Sequence, residues 1–552
     1  MSRRAGLLVF AASVALVRPT TADETSTGDK LRILYTSRVT FTDDGDPLVT
    51  IEVMGGQRRA ILSAPGGLVA MPDGDGGAEV RAGTRWTVAL QGGAPAELRD
   101  WTVVERLAPD REQDLEAALA RWKKRGHEAR SFEVGSLFAV DGDVMDGRSV
   151  LVAIDPVAPA KSAARARAIA SKYDIATEVH RELVRRPRGV VVARSGDTEV
   201  RNPGVVWFAP AVADQAIEVA DVPVGGGGSQ TTTGTQNRRY LGRVYVAVGA
   251  DGALAVVNAI SAEKLLAGLV PSEMFPAAPA EALRAQAIAA RTELLQKIGT
   301  RHLEDPFQIC STQHCQVYSG AGHEDPRTTA AIDATRGKVL LRPGTRLELI
   351  DARYSADCGG HGEDSDHIWG GTADPILRGH RDAPAGTSPW ADGIQASELD
   401  RFLATSKDGS YCASTRHARG RHRWETRIAA ADLDRMVAQA LPAVGRVREI
   451  EAQDRGTSGR IGRVRIVGSS GSGVVAGDLA IRRLFGGLRS SLFTVTAIGP
   501  TSAREAFLFR GAGFGHGVGM CQLGAIGMAD QHKKFPDILS HYYPGSRLHR
   551  LY

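Results

Sequence analysis

Cysteine is scarce in this 552-residue chain: there are five, and none precedes Cys310. That is too few for a disulfide-scaffolded fold, and an odd number leaves at least one unpaired in any intramolecular scheme. A charge excess is also missing. The 68 Lys and Arg against 63 Asp and Glu leave only +5 at pH 7. Short basic runs at residues 121–125 and 416–423 read as solvated helix faces, not as the one-sided basic surface of a nucleic-acid binder. Beyond residue 22 no apolar run reaches the roughly 20 residues that span a bilayer, which excludes a transmembrane segment in the mature chain. The 63 Gly and 25 Pro follow no Gly-X-Y period, which excludes collagen, and a hydrophobic content of 43% excludes wholesale disorder.

What is present begins with an export pattern. Arg3 and Arg4 precede an apolar run at 5–17, and Thr20-Thr21-Ala22 offers small residues for cleavage. A basic start, a short apolar core and a small-residue site predict a secretory signal, with the mature chain starting near Asp23 in the periplasm, wall or medium. Compartments of that kind let cysteines pair or hold metal.

The length suggests three or four folding units, at roughly 150 residues each. Residues 23–100 read as a small β-rich region of short strands and glycine turns whose function is opaque. At 101–195 a strand–helix–strand pattern occurs twice, with helices expected at 115–125 and 161–173, giving a βαβ-βαβ unit of ferredoxin-like layout. This layout resembles a SPOR domain, a module that binds glycan strands stripped of stem peptides; a generic ferredoxin-like spacer shares it. Residues 196–552 form the remaining unit, with a flexible glycine-rich segment at 224–239. The expected class is α+β.

The chemistry concentrates in that last unit. Glu273 follows Pro271 and Ser272 and stands among Val270 and Met274, ahead of a helix with Pro279 in its first turn and Gly299 just past its end. Leu283, Ala287, Ala290, Leu294 and Ile298 share one face of that helix and predict docking on a core. On these residues alone Glu273 fits two roles: a capping glutamate, or a desolvated carboxyl whose raised pKa suits a general acid. Near the C-terminus, Gly511, Gly513, Gly515, Gly517 and Gly519 alternate around His516 and lead to Met520, Cys521, Gln522 and Gly524. No register of this run matches Gly-x-Gly-x-x-Gly and no Gly-Lys-Ser/Thr follows, which excludes a dinucleotide loop and a P-loop. Glycines at this density let the backbone approach a ligand closely.

That run, with Ser540-His541-Tyr542-Tyr543-Pro544-Gly545 after it, resembles the C-terminal signature of the SpoIID/LytB family. The other marks of the resemblance recur in order: Val270-Pro271-Ser272-Glu273-Met274, Glu281 to Thr292 with Gln286 and Arg291, Cys315-Gln316-Val317-Tyr318-Ser319-Gly320, Tyr354-Ser355 with Gly359-Gly360-His361, and Trp369-Gly370-Gly371. It covers about residues 200–552 and leaves 23–195 outside. The resemblance implies a SpoIID-type catalytic domain. It also implies a peptidoglycan lytic transglycosylase that cleaves MurNAc–GlcNAc linkages of denuded glycan strands to 1,6-anhydro ends, with Glu273 as general acid and then base. One carboxyl suffices because the sugar's own C6 hydroxyl replaces the water and the second carboxylate of ordinary glycosidases. Gln286, Arg291, Gln316, Tyr318, Ser355, Gly359, Gly360, His516 and Gln522 are the expected substrate-groove residues. Some members are described as amidase enhancers, so the alternative is a non-catalytic glycan binder that activates a wall amidase.

Cys310, His314 and Cys315, with His302 as a fourth ligand, have the types and spacing of a structural zinc site, and some family members look to hold zinc there. A Cys310–Cys315 disulfide after export fits the same residues, and no metal is required for the chemistry. Cys358 and Cys412 are expected to form a second bridge, leaving Cys521 as a buried free thiol.

Overall fold

The computed structural model describes residues 34–552 except 36, 73, 75–76, 225–233, 313, 385, 387–389 and 406–408. The expected export signal and residues 225–233 of the glycine-rich segment lie outside the described residues. The described chain is mixed α+β and rich in strands.

Two sheets share one core. The first runs Thr40–Phe41, Pro47–Gln57, Leu254–Ser261, Arg243–Val248, Val205–Pro210, Leu68–Met71 and Val80–Arg81, with Ile309–Cys310 joining Pro47–Gln57 in parallel. The second runs Thr198–Pro203, Arg188–Ser195, Arg85–Ala94, Arg59–Ser63, Ile217–Val224 and Gly234–Tyr240. Val49, Ile51 and Val53 alternate inward along Pro47–Gln57, as a half-buried strand requires. Leu254–Ser261 is buried along its whole length because it is a central strand covered on both faces. Trp86 of the second sheet meets Phe208 of the first edge-on at 5.9 Å. Strands from residues 40–94 therefore interleave with strands from 188–261. The region expected at 23–100 and the start of the 196–552 unit fold together, because neither has enough apolar surface to cover its own sheet. Within the segment expected to be flexible at 224–239, residues 234–239 belong to the strand Gly234–Tyr240, which pairs with Ile217–Val224.

The unit between them has four antiparallel strands in the order Glu178–Arg185, Glu97–Leu107, Ser149–Val157, Ala129–Val134. Helices Glu112–Lys124 and Pro159–Tyr173 bury Ala118, Trp122, Ala166 and Ile169, and Trp122 and Ile169 pack with Val104, Val152 and Ile154 of the sheet. The opposite face, through Trp101 and Leu151, packs towards Leu303. The hairpin Leu137–Val140 and Asp143–Asp146 was not legible as a separate element; its Phe138 and Met145 join the core of the two large sheets.

Two helices position the chemistry. Ala262–Glu273 starts at Ser261, whose Oγ accepts from Lys264 N at 3.3 Å. It carries Pro271 in its last turn and stops where Met274 becomes extended. Glu273 stands ahead of the helix that follows Pro279, as expected, and is also the last residue of the helix before it. The next helix, Ala280–Lys297, is buried nearly all round, so it runs through the core instead of docking one face upon it. The C-terminal half adds a smaller α+β layer built on Arg423–Ala429, Phe493–Ile498 and Ala506–Ala512, and a three-stranded sheet Val447–Arg455, Ile461–Gly468, Ser472–Ala476. Among the described residues no helix is long and apolar enough to cross a membrane.

Candidate functional site

Glu273 sits at the carbonyl end of its helix, where the aligned peptide dipoles oppose a negative charge. Its side chain is half-buried, and Oε1 accepts a hydrogen bond from Val317 N at 3.1 Å. Burial pushes its pKa up to about 7, and the nearby charge of Glu293 adds to the rise against the Val317 amide and Lys297. A carboxyl poised there populates both protonation states near neutral pH, so it can give a proton and later take one.

Tyr354 is near enough for its hydroxyl to feel the Glu273 charge, and further buried polar atoms without partners lie on the elements joined to it. Tyr354 packs over Leu269, Val270, Ala287 and Ala290. Its hydroxyl is buried without a hydrogen-bond partner. Burial, with the charges of Glu273 and Glu293, holds that hydroxyl well above its usual pKa, so it remains a donor. Gln286, buried in the central helix, accepts at Oε1 from Gln522 Nε2 at 3.2 Å, and its own Nε2 has no partner. Ser355 Oγ is likewise buried and unpaired. These groups meet because Tyr354–Ser355 pairs in parallel with Met520–Cys521, which brings the second half of the glycine-rich run beside the central helix. Gly519 makes this possible: it has φ +70°, and a Cβ there would lie 2.0 Å from the Arg353 carbonyl oxygen. Buried donors with no partner cost free energy, about 1–3 kcal/mol each. A polar ligand that paired with them would recover that cost.

The other expected groove residues divide. His516 meets the exposed Trp369 edge-on at 4.9 Å, with Arg353 lying over the same indole at 4.4 Å. Burial and the Arg353 charge hold the His516 ring down to about 3, so it is neutral and accepts from Val518 N at 3.0 Å. Gly359 and Gly360 have φ +77° and +102°, and Gly359 packs against the backbone of residues 512–513. Arg291, Gln316 and Tyr318 engage internal partners, although the Oε1 of Gln316 is buried without one. Arg291 is fully buried and forks onto Glu263 with two bonds of 2.7 Å, while Tyr552 bonds the same carboxylate at 2.6 Å. Gln316 Nε2 is taken by Glu293 and the Ala290 carbonyl. Tyr318, 2% exposed, donates to Asn258 at 3.2 Å. Their interactions are internal, so they are supports. Two participants escaped the sequence reading: Tyr354, noted only as part of a motif, and Glu293. Glu293 lies two turns after Gln286 on the same helix face, a spacing that could have pointed to it.

The Cys-His group assembles as expected. Ligand atoms of His302, Cys310, His314 and Cys315 all lie within 4.8 Å of one another. The Cys310 and Cys315 sulfurs lie 3.0 Å apart, and sharing one proton between them pulls the Cys310 thiol far down while pushing Cys315 up, so the pair already favours one thiolate. His302 Nδ1 bonds Asp305 at 3.0 Å, which turns Nε2 towards Cys315 Sγ at 3.3 Å. A carboxylate that orients an imidazole in this way is a usual outer partner of a metal ligand, and two thiols with two imidazoles suit zinc.

Residues 250–341 match the family described as Stage II sporulation protein, and residues 363–519 match a domain of unknown function. An uncharacterized protein of Brachyspira hyodysenteriae is 28% identical over 294 residues, covering 53% of this chain and 67% of that protein. The amidase enhancer of Bacillus subtilis is 29% identical over 293 residues, covering 51% of this chain and 40% of its own length. Stage II sporulation protein D of Bacillus amyloliquefaciens is 27% identical over 303 residues, covering 52% and 74%.

Proposed function

Since residues 250–341 place this chain in the SpoIID/LytB family, we propose that it is a peptidoglycan lytic transglycosylase. Its substrate is the MurNAc–GlcNAc linkage of denuded glycan strands. The observation that carries this reading is Glu273, with a pKa of about 7, near the buried hydroxyl of Tyr354. Protonated Glu273 gives its proton to the glycosidic oxygen as the bond to C1 breaks. The resulting carboxylate then takes the proton of the C6 hydroxyl on the same sugar, whose oxygen closes on C1 to form the 1,6-anhydro ring. Glu273 ends protonated again and no water is consumed. Tyr354 and Gln286 orient the sugar through donors that are unpaired in the free protein, and the exposed Trp369 offers an apolar face at the rim.

The remaining assignments follow that reading. The protein is exported and acts in the periplasm or wall. The four-strand unit is a ferredoxin-like layer of the SPOR kind that holds the enzyme on glycan. Zinc at His302, Cys310, His314 and Cys315 would tie the loop that carries Val317 to the strand Ile309–Cys310; it supplies rigidity and takes no part in bond cleavage.

A second reading is favoured by one finding, the likeness to a protein named amidase enhancer: the chain binds glycan and stimulates an amidase without cutting. Incubation of the purified protein with amidase-treated peptidoglycan, followed by mass spectrometry of released fragments, separates the two. Anhydro ends from wild type and none from Glu273→Gln are expected. Equal release from both would end the enzymatic reading, and stimulation of amidase by both proteins would then support the second.

A further inference from the structure

The three cysteines outside the first Cys-His group are brought to one point. Cys358 follows the Tyr354–Ser355 strand, Cys412 lies in the short helix Tyr411–Ser414, and Cys521 precedes the helix Gln522–Asp530. Their sulfurs and a carboxylate oxygen of Asp357 all lie within 4.8 Å of one another, and all four residues are buried. A Cys358–Cys412 bridge with an isolated Cys521 does not describe this arrangement, because Cys521 sits in the same cluster and the five cysteines are all free thiols.

Geometry, orphaned polarity and charge agree on an occupant. Cys358 and Cys412 sulfurs are 3.8 Å apart; two thiolates of a tetrahedral centre with metal–sulfur bonds of about 2.3 Å are separated by about 3.8 Å. Asp357 is fully buried, with Oδ1 accepting from Gly359 N at 2.8 Å and Oδ2 left without a partner. Cys521 Sγ accepts from Cys358 N at 3.1 Å and from Gly524 N at 3.4 Å, backbone donors of the sort that support a metal-bound thiolate. The positive charge of one arginine and an imidazole stand nearby. The buried Arg460 bonds the carbonyls of Cys358 and His361 and makes no ion pair among the described residues. His422 Nδ1 lies 3.6 Å from both Cys412 Sγ and Asp357 Oδ1.

We infer that Cys358, Cys412, Cys521 and Asp357 form a second metal site, taking a thiophilic divalent ion of the zinc class. Binding displaces the three thiol protons to solvent and leaves an anionic centre beside Arg460 and His422. The ion would lock the Tyr354–Ser355 strand to the end of the glycine-rich run, and so hold Gln522 against Gln286. The site shares no residue with the group His302, Cys310, His314 and Cys315, and its ion takes no direct part in bond cleavage.

The test uses the full chain, exported and purified without chelator. A Cys310→Ser/Cys315→Ser variant is expected to retain one zinc per chain by elemental mass spectrometry, and adding Cys412→Ser is expected to remove it. Because these variants can lose their fold, the wild type is also denatured without reductant and alkylated. Equal alkylation of Cys358, Cys412 and Cys521 is expected, with stoichiometric zinc released when an organomercurial titrates the native thiols. A disulfide between any two of the three, or a folded Cys310→Ser/Cys315→Ser protein that holds no zinc under zinc excess, would overturn the proposal.

Discussion

Glu263 and Glu273 stand at opposite ends of one helix and are given opposite characters. Glu263, in the first turn, faces the positive helix pole and accepts the fork of Arg291; these interactions outweigh its burial and hold it below the usual carboxylate range. Glu273, at the last position, faces the negative pole, has one amide donor and rises to about 7. The same functional group is a permanent anion at one end and a proton carrier at the other. The surroundings decide which, and a carboxylate with every oxygen satisfied has no proton to exchange near neutral pH.

The comparison breaks most visibly at Glu273. Glu273→Gln is expected to lower anhydro-end formation by about 10³-fold, within the range for a lost general acid–base, with thermal unfolding unchanged within a few degrees. A loss of activity that tracks unfolding would instead place Glu273 among the supports. At the other end, Arg291→Met leaves Glu263 buried with only Tyr552, so a loss of about 3–5 kcal/mol in urea unfolding is expected, with near wild-type activity per folded molecule. Tyr354→Phe removes a hydroxyl that bonds nothing in the free protein. About tenfold lower turnover is expected because the bound state loses a hydrogen bond, with stability unchanged or raised by as much as about 1–3 kcal/mol because a buried donor without a partner is removed.

The smallest effect is in pH dependence. For Glu263 the folded pKa is depressed, so its contribution is present above the unfolded value and is lost as pH falls below it. For Glu273 the folded pKa is raised, so between about pH 4.5 and 7 the folded state holds the extra proton and stability declines as pH rises. Unfolding series across pH should find the second slope flattened in Glu273→Gln and the acid limb flattened in Glu263→Gln. Activity should also fall as pH rises past about 7, since the acid form is then depleted.

Some of this was legible in the residues. Pro271 before Glu273, the apolar spacing from Leu283 to Ile298 and the density of glycine from 511 to 519 are local properties, and they marked a candidate carboxyl, a helix and a close backbone approach. The helices expected at 115–125 and 161–173 lie close to Glu112–Lys124 and Pro159–Tyr173, because each turns a few apolar residues to one side. Arg291 and Tyr318 misled, since a polar residue within a motif looks the same whether it faces a ligand or a buried carboxylate. Arg291 is five residues from Gln286, about 140° around the helix, and points to Glu263 instead.

The sequence by itself determined which residues could carry the chemistry: one carboxyl near a helix end, a Cys-His group with metal-ligand spacing, and glycines where side chains would clash. Only the tertiary structure decided which of them act together. Pairing Tyr354–Ser355 with Met520–Cys521 spans more than 160 positions, and such contacts arise from packing one element against another, which no local pattern encodes. The same packing set the proton affinity of Glu273, because desolvation depends on what the rest of the chain places around a carboxyl.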